Sequence, residues 1–178
     1  MVGLGFQEII SNILGSPQDL RDAMRLAGTE WGQLVEVDNV MSQNFSALRQ
    51  WMLPSLLRVE AASNRAFYPH RIFEAGEVAR RDPLQPLGSH TITVLGGMIA
   101  HADAHFSEAH SCLDTLFYYV NQAYSLEPIQ HPSFLTGRVG GILSEGKQIG
   151  VIGELHPEVL ERWQIGVPAV AFEINLSE

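Results

Sequence analysis

At 178 residues the chain is long enough to bury one substantial core, and a single domain over residues 1–178 is the expectation. Apolar residues make up 46% and charged residues 17%, the composition of an ordinary globular protein. Twenty acids against eleven bases leave a net charge of −9, and Lys147 is the single lysine, which argues against a broad nucleic-acid surface because backbone binding needs clustered Lys and Arg.

The opening Met1-Val2-Gly3-Leu4-Gly5-Phe6 begins abruptly and reads like the end of a helix whose start lies elsewhere. Glu8 to Leu14 predicts a strand ending at Gly15. Ser16-Pro17-Gln18-Asp19 then supplies a cap, a first-turn proline and an acid near the positive helix end, predicting a helix to about Ala27. Leu34 to Val37 is a brief strand leading to Asn39. From Phe45 to Ala66 the spacing of Leu48, Trp51, Met52, Leu56, Leu57, Val59 and Ala61 is helical. Pro54 cannot donate to residue i−4, so the helix proper is predicted from about Pro54 to Arg65.

Arg71 to Val78 is strand-like, with Ile72, Glu74 and Gly76 opposite Phe73, Ala75 and Glu77. Neither face is purely apolar, which suits a cleft wall or an edge. A Pro- and Gly-bearing loop, Asp82 to Ser89, separates it from Thr91 to Ala100, whose nearly continuous apolar run predicts a central strand. Ser107 to Tyr124 is the clearest helix, with Ala109, Leu113, Leu116, Phe117 and Val120 on one face. Val139 to Leu143 and Gln148 to Ile152 flank Glu145-Gly146-Lys147 as a hairpin. A short helix from Pro157 to Trp163 and a strand from Ala169 to Leu176 close the chain. This order predicts an α+β domain built on a largely antiparallel sheet.

No stretch approaches a membrane span, and the start lacks a basic segment followed by a long apolar one, so no membrane partner is expected. Cys112 stands alone, which excludes an internal disulfide framework, suits a reducing cytoplasm and fits core filler better than a nucleophile.

Candidate chemistry is sparse. His101, His105 and His110, with Asp103 and Glu108 among them, allow a metal site to be drawn, but their spacing matches no strong motif and no metal is expected. Glu74, Glu77 and Glu173 could share a cleft as acid and base or as magnesium ligands; the plainer role is a solvated strand face or ion pairs with Arg49, Arg71 and Arg138. Arg138 is a candidate anion or RNA contact, with a structural salt bridge as the plainer alternative. The glycines at 137, 140, 141, 146, 150 and 153 lack the spacing of a phosphate-binding loop and suit tight turns and close sheet packing. No serine or cysteine occupies a nucleophile-elbow sequence.

Six segments in order carry a resemblance. They are Gly5-Phe6-Gln7-Glu8-Ile9-Ile10, Phe45 through Leu57, Arg71 through Val78, Phe106-Ser107-Glu108-Ala109, His131 through Arg138, and Gly150 through Leu160. Val37-Asp38-Asn39 precedes the second, Asn64 lies in its following helix, and Phe172-Glu173-Ile174 closes the set. Together they resemble the C-terminal catalytic-like core domain of the phenylalanyl-tRNA synthetase beta subunit, with wording that leans toward the archaeal and eukaryotic type. One departure is Asn39-Val40 where the family has asparagine-proline.

The resemblance implies a class II synthetase-like fold, mostly antiparallel sheet flanked by helices, in a fragment of a longer beta subunit. In that family the alpha subunit activates phenylalanine with ATP and magnesium and transfers it to tRNA(Phe). The beta domain, with no cofactor of its own, pairs with alpha and supports a two-alpha, two-beta assembly in the cytoplasm. Phe45 through Leu57 looks like the first class II motif, which builds subunit interfaces. Leu48, Trp51, Met52, Leu53, Leu56 and Leu57 are therefore the expected interface anchors, with filling of the domain's own core as the alternative. Arg80 and Arg81 lie just beyond the second motif's strand, but the late helix offers only Arg162 and no convincing third motif, so no catalytic residue is expected. Glu74, Glu77, His101 and Arg138 are the expected residues of a remnant cleft or RNA contact. The competing reading is a stand-alone small-molecule-binding paralogue that reuses this cleft. A metal-dependent enzyme would require the three histidines to converge.

Overall fold

The computed structural model describes residues 1–178 except Met41, Asn64, Arg65 and Glu178. The elements follow in order: β1 (Gln7–Glu8), β2 (Leu14–Gly15), β3 (Val35–Glu36), β4 (Ala47–Leu48), α1 (Leu53–Ala62), β5 (His70–Arg81), β6 (Ser89–Ala100), α2 (Phe106–Tyr119), β7 (Ser125–Pro128), β8 (Phe134–Ser144), β9 (Lys147–Leu155), α3 (Pro157–Arg162) and β10 (Ala169–Asn175). Among the described residues one sheet runs β1-β5-β6-β10-β9-β8-β7, and β2-β4-β3 form a small second sheet. Apart from the parallel β1–β5 pair, every pairing is antiparallel. The fold is thus the expected α+β class, a helix-flanked and mostly antiparallel sheet consistent with the class II synthetase architecture.

Alternation along the strands divides the core between the two faces of the main sheet. Ile72, Val78, Val94, Met98 and Ala171 pack with Leu53, Leu56 and Leu57 of α1. Phe73, Leu95, Ile99, Val170 and Phe172 pack on the other face with Ala109, Leu113 and Phe117 of α2. The middle of β6 is thinned to Gly96-Gly97 because it is pressed from both sides. A Cβ on Gly96 would lie 2.6 Å from Cβ of Met52, and one on Gly97 would lie 2.3 Å from Cζ of Phe172. The β8–β9 hairpin turns at Glu145-Gly146, both at positive φ (52° and 79°), with Ser144 paired to Lys147.

Three expectations are corrected. The strand expected from Glu8 to Leu14 is two short strands in different sheets, because Gln7–Glu8 pairs with β5 while Leu14–Gly15 pairs with β4. The helix expected to reach Ala27 is a short wide-turn helix, Gln18–Asp22, although the Ser16 hydroxyl accepts the Asp19 N–H at 3.1 Å as a cap should. The long helix ends at Tyr119, where the Val120 N–H donates to the Leu116 carbonyl, the Asn121 N–H donates to that of Tyr118, and Asn121 turns to φ 53°, releasing Ser125–Pro128 as the edge strand β7. The helix α1 begins with Pro54 in its first turn as expected and ends at Ala62; the expected Arg65 terminus and Asn64 lie outside the described residues.

Candidate functional site

The segment between β4 and α1 crosses the α1 face of the sheet and carries a buried charge, Arg49. Arg49 is held between strands and helix: Nη1 lies 2.9 Å from Glu74 Oε1 and 2.8 Å from the Ser11 hydroxyl, and Nε donates to the Glu77 carbonyl at 2.9 Å. Ser11 in turn donates to the other Glu74 oxygen. Glu74 therefore serves as the internal counter-charge of a buried arginine.

Two strands away, Glu173 is buried on the same face. Its Oε2 accepts the Met52 backbone N–H, and its Oε1 lies 3.9 Å from Arg80 Nη2. Burial pushes this carboxyl up to about 7, against the opposing pull of the Met52 hydrogen bond and the Arg80 and Arg49 charges. Beside it opens a cleft of about 400 Å³, bounded by Trp31, Trp51, His131, Arg80, Arg81 and Glu173. His131 sits among aromatic rings, with centroids 4.9 Å from Trp31, 5.3 Å from Trp51 and 5.2 Å from Phe134. Desolvation lowers its pKa to about 4, so the imidazole is a neutral aromatic wall at neutral pH.

The expected cleft residues do not converge. Glu74 lies in the Arg49 network, and Glu77 is exposed on the opposite face of β5. His101 lies at the α2 end, where Nδ1 accepts the Asp103 N–H and Nε2 faces Glu108 Oε2 at 2.7 Å. Arg71 holds the other Glu108 oxygen at 2.6 Å. Arg138 pairs at 2.8 Å with Glu154, whose same oxygen accepts the Phe106 N–H at the start of α2. The plainer salt-bridge role described for Arg138 is the geometry present here. His105 contacts the Asp103 carbonyl and His110 lies 3.7 Å from Asp114, so the three histidines have separate partners. Among the described residues no group of three or more His, Cys, Asp or Glu could hold a metal ion. Cys112 is buried against α2's core, and burial raises its thiol pKa.

The expected interface anchors lie mainly inward in this chain. Trp51, Met52, Leu53, Leu56 and Leu57 are buried in this chain's own core, and Leu48 is half-buried in β4. Their helical spacing describes the face α1 turns inward, onto β5 and β6. Conversely, Trp31 and His131 line the cleft without belonging to any motif that marks a site. The available signal was an aromatic between two glycines (Gly28 and Gly32), and a histidine within three residues of Phe134.

The family model of the phenylalanyl tRNA synthetase beta chain CLM domain matches residues 1–176. The chain belongs to this family. It is 41% identical over 176 residues to the phenylalanine–tRNA ligase beta subunit of Pyrococcus furiosus, covering 99% of this chain and 31% of that protein. Against the beta subunit of Thermococcus sibiricus the identity is 38%, with the same coverage, and against that of Treponema pallidum it is 36%, with 29% of the relative covered. This CLM-domain chain therefore spans about a third of the length of these beta subunits.

Proposed function

We propose that the chain is a noncatalytic structural and subunit-assembly module of phenylalanine–tRNA ligase, the enzyme that attaches phenylalanine to tRNA(Phe) using ATP. The observation that carries this reading is the way its acids are used. Glu74, Glu108 and Glu154 each neutralise an arginine that ties one element to another. Such pairs fix geometry, whereas adenylation needs preorganised positive groups and metal ions around phosphates. In the full enzyme, ATP and magnesium belong to the alpha subunit. The chain pairs with alpha in a cytoplasmic two-alpha, two-beta assembly and reaches tRNA(Phe) through it, in keeping with its net charge of −9. Similarity to the Pyrococcus and Thermococcus proteins supports placing it with the archaeal and eukaryotic type.

With the α1 residues committed to the core, the exposed apolar residues are the better interface anchors. Tyr118, Tyr119 and Val120 at the end of α2 are 79%, 78% and 57% exposed, a contiguous patch of the residue types that anchor interfaces. Co-purification with the alpha subunit from the same genome tests the reading, with Tyr119→Glu expected to weaken pairing while the fold survives. The alternative, a stand-alone small-molecule-binding paralogue, draws on the cleft beside Glu173 and predicts no stable pairing.

A further inference from the structure

The cleft beside Glu173 has two chemically distinct walls. On one side Trp31, 42% exposed, leans over His131, with Trp51 behind it, and the imidazole is uncharged at neutral pH. On the other side Arg80 lies 3.9 Å from Glu173, beyond hydrogen-bond distance, with about half its side chain exposed. The Arg81 side chain, which also lines the cleft, makes no hydrogen bond or ion pair among the described residues. Gln50, Gln148 and Asn175 add amides to the lining. A volume of about 400 Å³ is within the range of small-molecule sites, which combine aromatic walls with a few polar groups.

We propose that this cleft binds a small flat aromatic molecule carrying one anionic group, its ring against Trp31 and Trp51 and its anion held by Arg80 and Arg81. A ring gains most against aromatic faces, and a guanidinium pair is suited to the planar or tetrahedral oxygens of a carboxylate or phosphate. Burial keeps the Glu173 carboxyl partly protonated near pH 7, which reduces its repulsion of an incoming anion. Binding here is independent of pairing with an alpha subunit.

Titration calorimetry of the 178-residue chain with indole-3-acetate and with adenosine 5′-monophosphate tests the site and separates the two anion classes. Saturable one-to-one binding of indole-3-acetate assigns a carboxylate ligand, and stronger binding of the monophosphate assigns a phosphate one. Arg81→Gln and Trp31→Ala alter exposed side chains and leave the cores intact, so each is expected to weaken binding about tenfold with an unchanged melting temperature. Absence of saturable heat with both probes overturns the proposal. Binding unchanged in both variants overturns it equally, because the ligand would then sit elsewhere.

Discussion

The Arg49 guanidinium lies 2.9 Å from the Glu74 carboxylate, with the two side chains only 4% and 5% exposed. This pair joins the strand-to-helix segment to the middle of the sheet, and Ser11 and Ser55 complete the guanidinium's contacts. Removing one partner strands the other charge without solvent. Glu74→Ala is therefore expected to cost about 3–5 kcal/mol in urea unfolding, while an Arg49→Met/Glu74→Leu pair regains most of that loss. A loss under about 1 kcal/mol for Glu74→Ala would mean that water reaches the pair and that it is not the clamp described.

Glu173 and His131 pull stability in opposite directions with pH. The folded pKa of Glu173, about 7, is above its ordinary value, so the native state holds the proton longer and stability falls as pH rises from about 4.5 to 7. The folded pKa of His131, about 4, is below its ordinary value, so the unfolded state binds the proton first and stability falls as pH drops from about 6.5 to 4. Glu173→Gln keeps an acceptor for the Met52 N–H and removes the first effect; its stability should rise more steeply with pH than the wild type's by up to about 1.4 kcal/mol per unit. His131→Phe should shift the slope the other way between pH 4 and 6.5. Parallel slopes for all three proteins would show that neither group titrates as its surroundings require.

Gly97 is held without a side chain by Phe172, whose ring atom would lie 2.3 Å from an added Cβ. Gly97→Ala should lower stability by about 1–3 kcal/mol, and Phe172→Leu in that background should restore part of it. Thermal melts of Gly97→Ala, Phe172→Leu and the double variant provide the comparison. Additive losses would place the crowding somewhere other than this contact.

Much of this architecture is legible locally. The Pro54 and Pro157 helix starts, the Glu145-Gly146 turn and the apolar run from Thr91 to Ala100 each carry their own stereochemical signal, and each lies where expected. The two-residue strands do not, since Gln7–Glu8 and Leu14–Gly15 are defined only by distant partners at 72–73 and 47–48. The same holds for the site. Arg49 was a candidate partner for Glu74 from charge alone, but the grouping of Trp31, His131, Arg80 and Glu173 depends on four separate segments meeting. Helical spacing from Leu48 to Leu57 showed which residues share a face and could not show whether that face met this chain or another. In this chain that face packs against β5 and β6, so Trp51 and Leu56 substitutions are expected to perturb folding as well as any pairing.

The most direct test of the assembly role is light scattering on the chain mixed with the alpha subunit from the same genome, with and without tRNA. The account predicts a stable stoichiometric complex at micromolar concentration, weakened by Tyr119→Glu without loss of the chain's own fold. Two separate species at those concentrations, with the chain folded, would contradict it.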